Sequence, residues 1–475
     1  MTGRRFWPGL ILAYFTFHTV YRALLGGGLG LDEAEMFLQA QEFRWGYGPQ
    51  LPLYGWLQHT VFLVAGPSLF SLSLFKNALL CGMVLTLYGI LRTRFIPMTA
   101  GPVALSLLLL PQIAWESQRS LTHSVLVSLC AMLCLAALWW IARRPSTAGF
   151  VCLGLVLAAG GLAKYNFYLM PAAAALAILS LPDMRESFRD KRLILSLVIA
   201  ALLLAWPYWW IYQNPQLAFA TATKLRVEEH LSLLTRAAKG LLAIGAGTLN
   251  FLLLPTVVVG ALWGFRRNGQ TAPPNDLERL LRRTVLFGMV LLAVAIVLAG
   301  GTNFRDRWLQ PLLIFSAPAL VLWLLPRLTG QGRRALLRVY GVIAAVVVLG
   351  LPVHYFRNDA DVAAPFPTLV PQMEAYLQTP ETAIIAHQWL AGNILYVAPH
   401  LTLINEAYAE VRPDPDGDYV LVWKEDDPAE GARRLAEYFP DRPGWSLVDH
   451  KVLRAPFRFD ADEIMTLSIA RVATR

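Results

Sequence analysis

Runs of roughly 20 apolar residues, separated by short basic or turn-rich links, recur from residue 7 to residue 354 of this 475-residue chain. Each run is long enough to cross the ~30 Å hydrocarbon core of a bilayer as an α-helix. The composition agrees. The chain is 56% hydrophobic and only 15% charged, where a soluble domain carries about 25% charged residues. A polytopic α-helical membrane protein is therefore expected. About eleven spans are placed at 7–26, 70–91, 95–113, 121–142, 147–163, 165–182, 193–212, 238–264, 284–300, 309–326 and 337–354.

The first span reads as a retained helix. Arg4 and Arg5 precede it, but it contains Tyr14, His18, Tyr21 and Arg22 and lacks a small-x-small cleavage site, so a signal peptide is a poor match. The four cysteines, Cys81, Cys130, Cys134 and Cys152, all fall in apolar spans. They read as small buried side chains.

Charge sets the topology. One set of alternate links holds Arg4/Arg5, Arg92/Arg94, Arg143/Arg144, Arg185/Arg189/Lys191/Arg192, Arg266/Arg267/Arg279/Arg282/Arg283 and Arg327/Arg333/Arg334/Arg338. The positive-inside rule makes that side cytoplasmic. An odd number of spans then puts the C-terminal part outside. Residues 355–475 carry 11 Lys+Arg and 19 Asp+Glu, a balance of −8, whereas residues 1–354 carry 30 and 13, a balance of +17. The basic pI thus describes the cytoplasmic links and is no argument for nucleic-acid binding. Two domains are expected: a transmembrane part at 1–354 with an outer amphipathic loop at 27–69, and a periplasmic α/β part at 355–475. In the latter, Thr382–Ala386 and Asp418–Trp423 read as buried strands. Pro428–Tyr438 reads as a helix capped by Asp426 or Asp427.

The outer links hold the candidates for chemistry. Asp32, Glu33 and Glu35 follow directly on the first span, in a region poor in acids. Asp32 is the candidate base, because a carboxylate near an acceptor hydroxyl can take its proton. Glu33 or Glu35 could orient it, or bind a divalent cation through oxygen. Such acids also suit a helix N-terminus. Beyond them, Trp45-Gly46-Tyr47-Gly48-Pro49-Gln50-Leu51-Pro52-Leu53-Tyr54 suits the lipid interface.

Lys164 sits in a tight link between two spans, where a charge is costly without a partner. A phosphate would suit it, as would snorkelling. Arg305 and Arg307 end another span, and the guanidinium fork matches phosphate oxygens. Asp306 could pair with one of them. Arg119 and His123 share a helix face, with Glu116 a competing partner for Arg119. His230, beside Glu228 and Glu229, is a candidate metal ligand. Tyr47, Gln50, Tyr54, His123 and Tyr165 are the candidates for lining a substrate pocket.

Together these pieces resemble the GT-C superfamily of membrane glycosyltransferases. More narrowly they resemble the branch with protein O-mannosyltransferases and the lipid A aminoarabinose transferase. The carriers are Asp32-Glu33, Gly48-Pro49-Gln50-Leu51-Pro52-Leu53-Tyr54, Gly161-Leu162-Ala163-Lys164 and Arg305-Asp306-Arg307-Trp308-Leu309-Gln310-Pro311. In look the chain is similar to bacterial enzymes that decorate lipopolysaccharide, galacturonic acid transferases included. It departs from the branch at Thr122-His123, where an aspartate often stands.

The resemblance implies a polyprenyl-phosphate sugar as donor and a lipid or glycan acceptor. It also implies inverting single displacement on the periplasmic face of a bacterial inner membrane. Asp32 would activate the acceptor, and Lys164 with Arg305 or Arg307 would stabilise the departing phosphate. No nucleotide-binding glycine fingerprint is present. A divalent metal ion is the candidate cofactor. The rival functions are a flippase or transporter of lipid substrates and a non-catalytic assembly protein. Transporters carry polar groups near the midplane and internal repeats; here the ionisable residues cluster at span ends.

Overall fold

A computed structural model describes residues 3–120, 123–220, 227–228, 230–267, 274–357, 361–377, 379, 382–405 and 417–473. All eleven expected spans coincide with helices. Among the described residues seven are long and apolar enough to cross a membrane, or eight if one bent pair counts as a single span. Three of the eleven fall outside that set. Gly3–Leu25 contains Arg5 and Arg22, while Thr147–Ala163 and Tyr165–Leu179 are shorter apolar helices. The protein is a multi-pass membrane protein.

The bent pair, Pro97–Leu109 with Gln112–Arg119, turns by 79°. Its cause is local. Leu110 is extended (φ −89°, ψ 113°), as the residue before a proline prefers, and Pro111 has no N–H to continue the helix.

The chain forms two compact units. The first comprises Met1–Thr19, Pro49–Tyr54 and Leu74–Val348. Burial sorts its helices into central and peripheral ones. The segment at the heart of His123–Arg143 is 72% buried, whereas that of Leu193–Gln213 is 22% buried. A helix that is apolar all round yet open at Leu197, Leu202 and Trp206 is built to face lipid. Small residues let helices approach. A Cβ on Gly154 would lie 2.7 Å from the Ser196 carbonyl oxygen, and Ser196 Oγ donates to the Phe150 carbonyl at 2.6 Å. Such close packing of small residues with interhelical hydrogen bonds replaces the hydrophobic drive that is missing in lipid.

The second unit comprises Val20–Gly48, Gly55–Ser73 and Leu349–Arg475. Its five-stranded sheet has the order β2-β1-β3-β5-β4. The strands are β1 Ala383–Ala386, β2 Leu403–Asn405, β3 Tyr419–Lys424, β4 Ser446–Phe457 and β5 Asp460–Ala473. β1 pairs in parallel with β2 and β3. β5 is antiparallel to both β3 and β4. The two strands read from the sequence are β1 and β3. The helix Pro428–Tyr438 begins as expected, with the Asp427 carboxylate accepting from the Ala429 N–H at 2.9 Å. Ile385, Leu421, Trp423, Leu435, Phe439 and Ala470 form the core of this sheet.

Candidate active site

In the second unit, the acidic cluster is divided by one arginine. Arg22, 4% exposed, donates from Nε to Glu33 Oε1 at 3.2 Å and from Nη2 to Glu33 Oε2 at 2.8 Å. The same guanidinium bonds the carbonyls of Gly26 (2.8 Å) and Gly28 (3.2 Å). The chain turns sharply between them through Gly26 and Gly27, whose φ values of 64° and 85° favour glycine. Glu33 Oε2 also accepts from the Gly30 N–H at 3.2 Å, closing the N-terminus of the helix Leu31–Gln39. Both Glu33 oxygens are thus engaged, by Arg22 and by the Gly30 N–H. Glu35 is buried too, while Asp32 is only half-buried.

The segment before Asp32 is clamped from far along the chain. Asn393 Oδ1 accepts from the Leu29 N–H at 2.7 Å, and Asn393 Nδ2 donates to the Leu29 carbonyl at 3.1 Å. Trp389 Nε1 donates to that same carbonyl at 2.9 Å. Both residues belong to the helix Gln388–Val397. Its Gly392 lies so close to the acid-bearing helix that a Cβ would come within 2.3 Å of the Ala34 carbonyl oxygen.

The aromatic stretch after this helix is packed. Tyr47, 5% exposed, donates its hydroxyl to the Glu42 carbonyl at 2.5 Å and accepts from the Arg44 N–H at 3.1 Å. Its hydroxyl fixes the turn at 42–47.

In the first unit, Lys164 ends the helix Thr147–Ala163 in an extended conformation (φ −166°, ψ 142°). A cation at a helix C-terminus is favoured by the dipole. Its Nζ donates to Ser124 Oγ at 2.9 Å. Gln310 holds the same turn, donating to the Ser124 carbonyl (3.3 Å) and to Ser128 Oγ (3.0 Å). Asn166 Nδ2 donates to the Trp308 carbonyl at 2.8 Å, which ties the Lys164 turn to the Asp306–Trp308 turn. Lys164 and Arg307 both lie within electrostatic range of the His123 ring. Neither ring nitrogen of His123 meets a hydrogen-bond partner among the described residues, although the residue is 6% exposed.

Tyr54 is fully buried, its ring 5.0 Å from Phe75 and 5.1 Å from His123. It supports His123 by packing. Gln50 and Tyr165 are partly exposed, and Tyr165 packs on Phe219 at 5.7 Å.

The remaining candidates are placed as follows. Arg305 is exposed and Arg307 half-buried. Asp306 accepts from Asn250 Nδ2. Arg119 takes the competing option, bonding Glu116 Oε2 at 2.8 Å. His230 is exposed and stands 4.0 Å from Glu228. Glu228 is already bonded by Lys239 (2.8 Å) and Thr302 (3.0 Å), which hold its carboxyl below the usual range. Glu229 and Thr122 lie outside the described residues. Among the described residues no three His, Cys, Asp or Glu side chains lie together as a metal ion requires.

Two polar residues escaped the sequence reading. Lys76 is 3% exposed within the apolar helix Leu69–Arg92 and donates to the Gln118 carbonyl at 3.2 Å. A lone lysine inside a span was signal enough. Asn393 carried no such signal.

Residues 48–211 match the family model described as dolichyl-phosphate-mannose-protein mannosyltransferase. The lipopolysaccharide core galacturonosyltransferase RgtB of Rhizobium johnstonii is 32% identical, covering 94% of this chain and 93% of that protein. RgtA of the same organism, with the same printed activity, is 30% identical over 87% of this chain and 86% of its own. Among solved structures, ArnT from Cupriavidus metallidurans bound to undecaprenyl phosphate superimposes with a TM-score of 0.64. It is 14% identical and covers 97% of this chain and 98% of its own. Its apo form gives 0.59 at 15% identity, covering 98% of each chain. These similarities extend over both units, so the chain belongs to the lipopolysaccharide core galacturonosyltransferase family within the GT-C superfamily and is a membrane glycosyltransferase.

Proposed function

We propose that this glycosyltransferase moves a uronosyl sugar, as its galacturonosyltransferase relatives are named for, from a polyprenyl-phosphate donor to a lipopolysaccharide core acceptor. The observation that carries the reading is the first unit's basic cluster. Lys164 is anchored on Ser124, and Lys164 and Arg307 share the neighbourhood of His123. Cations fixed at the ends of apolar spans suit a lipid-borne phosphate. The ArnT structure with undecaprenyl phosphate supports the same donor class.

In the proposed reaction the acceptor oxygen attacks C1 of the sugar as the C1–O bond to phosphate breaks. The acceptor proton passes to the Asp32 carboxylate. The electron pair of the broken bond leaves on the polyprenyl phosphate, whose charge Lys164 and Arg307 stabilise. Attack opposite to the leaving group inverts the anomeric centre. Glu33, locked to Arg22, acts by holding the helix that carries Asp32.

The proposal places the enzyme in the bacterial inner membrane, with a C-terminal periplasmic domain from residue 355 and both clusters on the face opposite the arginine-rich links. The test is reconstitution of purified protein with polyprenyl-phosphate galacturonate and lipopolysaccharide core. Gain of one uronosyl mass on the acceptor, with inverted anomeric configuration by NMR, is expected. No transfer from this donor, alongside transfer from a nucleotide sugar, would overturn the reading.

A further inference from the structure

A cavity of about 750 Å³ opens among the basic ends of two membrane-spanning helices of the first unit. It is lined by Gly89 and Ile90 from Leu69–Arg92, by Ala136, Trp139, Trp140 and Arg143 from His123–Arg143, and by Arg94 and Arg144 in the links that follow. None of these residues belongs to the basic cluster around Lys164. The volume is within the range of small-ligand sites.

The lining has the two-part chemistry of a lipid headgroup site. One wall is aliphatic and aromatic. Trp140 is 41% exposed there, in the manner of tryptophans at a membrane interface. The other wall is cationic and preorganised. Arg143 and Arg94 stack against the Trp139 ring, at 4.8 Å and 5.8 Å from its centroid. Trp139 is itself fixed by its Nε1 donating to Thr93 Oγ1 at 2.9 Å. Arg143 and Arg94 share the carboxylate of Asp276, at 3.2 Å and 3.5 Å, and Arg279 takes its other oxygen at 2.5 Å. Arg279 also pairs with Asp183 at 3.6 Å, but two carboxylates cannot neutralise three guanidiniums, and Arg144 adds a further positive charge to the lining. Charge complementarity therefore selects an anion, and the apolar wall at a helix end selects one attached to acyl chains.

We infer that this cavity binds the phosphate headgroup of an anionic phospholipid, separately from the glycosyl-transfer chemistry. The ordered arginines supply paired donors to phosphate oxygens, and Ile90, Ala136 and Trp140 receive the first carbons of the acyl chains.

The full-length protein in detergent, analysed by native mass spectrometry during stepwise delipidation, tests this. The probes are phosphatidylglycerol, phosphatidylethanolamine and inorganic phosphate. Wild type should retain phosphatidylglycerol over phosphatidylethanolamine. The combined variant Arg94→Gln/Arg143→Gln/Arg144→Gln should weaken that retention by at least about tenfold. Because Arg94 and Arg143 also pair with Asp276, the single variant Arg144→Gln is measured beside it and should shift retention in the same direction with an unchanged melting temperature. Equal retention of the two lipids by wild type would overturn the inference. So would undiminished phosphatidylglycerol retention in both variants. Displacement of the lipid by inorganic phosphate at millimolar concentration would reassign the cavity to a free anion and overturn the lipid assignment.

Discussion

Arg22 grips Glu33 with two parallel hydrogen bonds, Nε to Oε1 and Nη2 to Oε2, with both side chains about 5% exposed or less. The guanidinium also lies over the Tyr355 ring, 4.6 Å from its centroid. This pair spans 11 residues of sequence and joins the end of the first helix to the start of the acid-bearing one. Removing one partner of a buried pair leaves the other charge uncompensated, at a cost of about 3–5 kcal/mol. Arg22→Ala and Glu33→Gln should each lower the melting temperature clearly in a detergent thermal melt. Glu33→Asp, which keeps the charge, should lower it less.

Asp32 is expected to behave in the opposite way. It is half-buried, so Asp32→Asn should leave the melting temperature close to wild type. Loss of a general base costs about 10²–10⁴-fold, and single-turnover transfer to acceptor should fall within that range. Wild-type transfer rates in Asp32→Asn would remove the residue from the chemistry.

Lys164 should report on the donor. With Nζ held on Ser124 at 2.9 Å, Lys164→Ala removes a fixed positive charge. We expect a higher KM for the polyprenyl-phosphate sugar together with a lower kcat, since the same charge would act on bound and departing phosphate. Acceptor KM should be unaffected. Donor kinetics equal to wild type would rule out the phosphate role.

Asn393 is expected to act on transfer without touching the reactants. It brackets both polar backbone groups of Leu29, three residues before Asp32. Asn393→Ala leaves the buried Leu29 N–H unpaired, at about 1–3 kcal/mol, while the Leu29 carbonyl keeps its bond from Trp389 Nε1. Hydrogen exchange at Leu29–Glu33 should accelerate, and kcat should fall with little change in donor KM. Gly392→Ala should give the same pattern by steric displacement, because its Cβ would meet the Ala34 backbone.

A pH response is expected in the helix Gln388–Val397. His387 caps it, with Nδ1 accepting from the Trp389 N–H at 3.4 Å, which requires a neutral ring. Burial, and then the Arg434 charge, push the His387 pKa below its ordinary value. The unfolded state therefore binds the proton first. The cap's contribution is complete above about pH 6.5, and stability falls as pH drops below that value towards the folded pKa. Thermal melts between pH 8 and pH 5 should show this loss for wild type and a smaller one for His387→Asn, which keeps a capping oxygen without the titration.

Much of this was legible in the residues themselves. Hydropathy placed the eleven helices, because a membrane helix satisfies its own backbone and needs no distant partner. The strands Ala383–Ala386 and Tyr419–Lys424 were legible as short buried runs, and Asp427 as a cap. The long hairpin Ser446–Phe457 with Asp460–Ala473 was not. The first of its strands is mostly exposed and carries Asp449, His450 and Lys451, so no hydrophobic alternation marks it. Among the described residues seven or eight helices are long and apolar enough to cross a membrane, and Thr147–Ala163 and Tyr165–Leu179 are shorter apolar helices.

The sequence by itself determined that the chain spans a membrane, which links are basic, and that acids and cations gather at span ends. These follow from composition and local period, properties each segment carries alone. Only the tertiary structure decided which acid is locked into a buried ion pair and which is half-buried. Glu33 and Asp32 are adjacent and chemically alike, and what separates them is Arg22 at one end of a turn and Asn393, 364 positions from Leu29, at the other. Partner choice over such distances is set by packing, which no local pattern records.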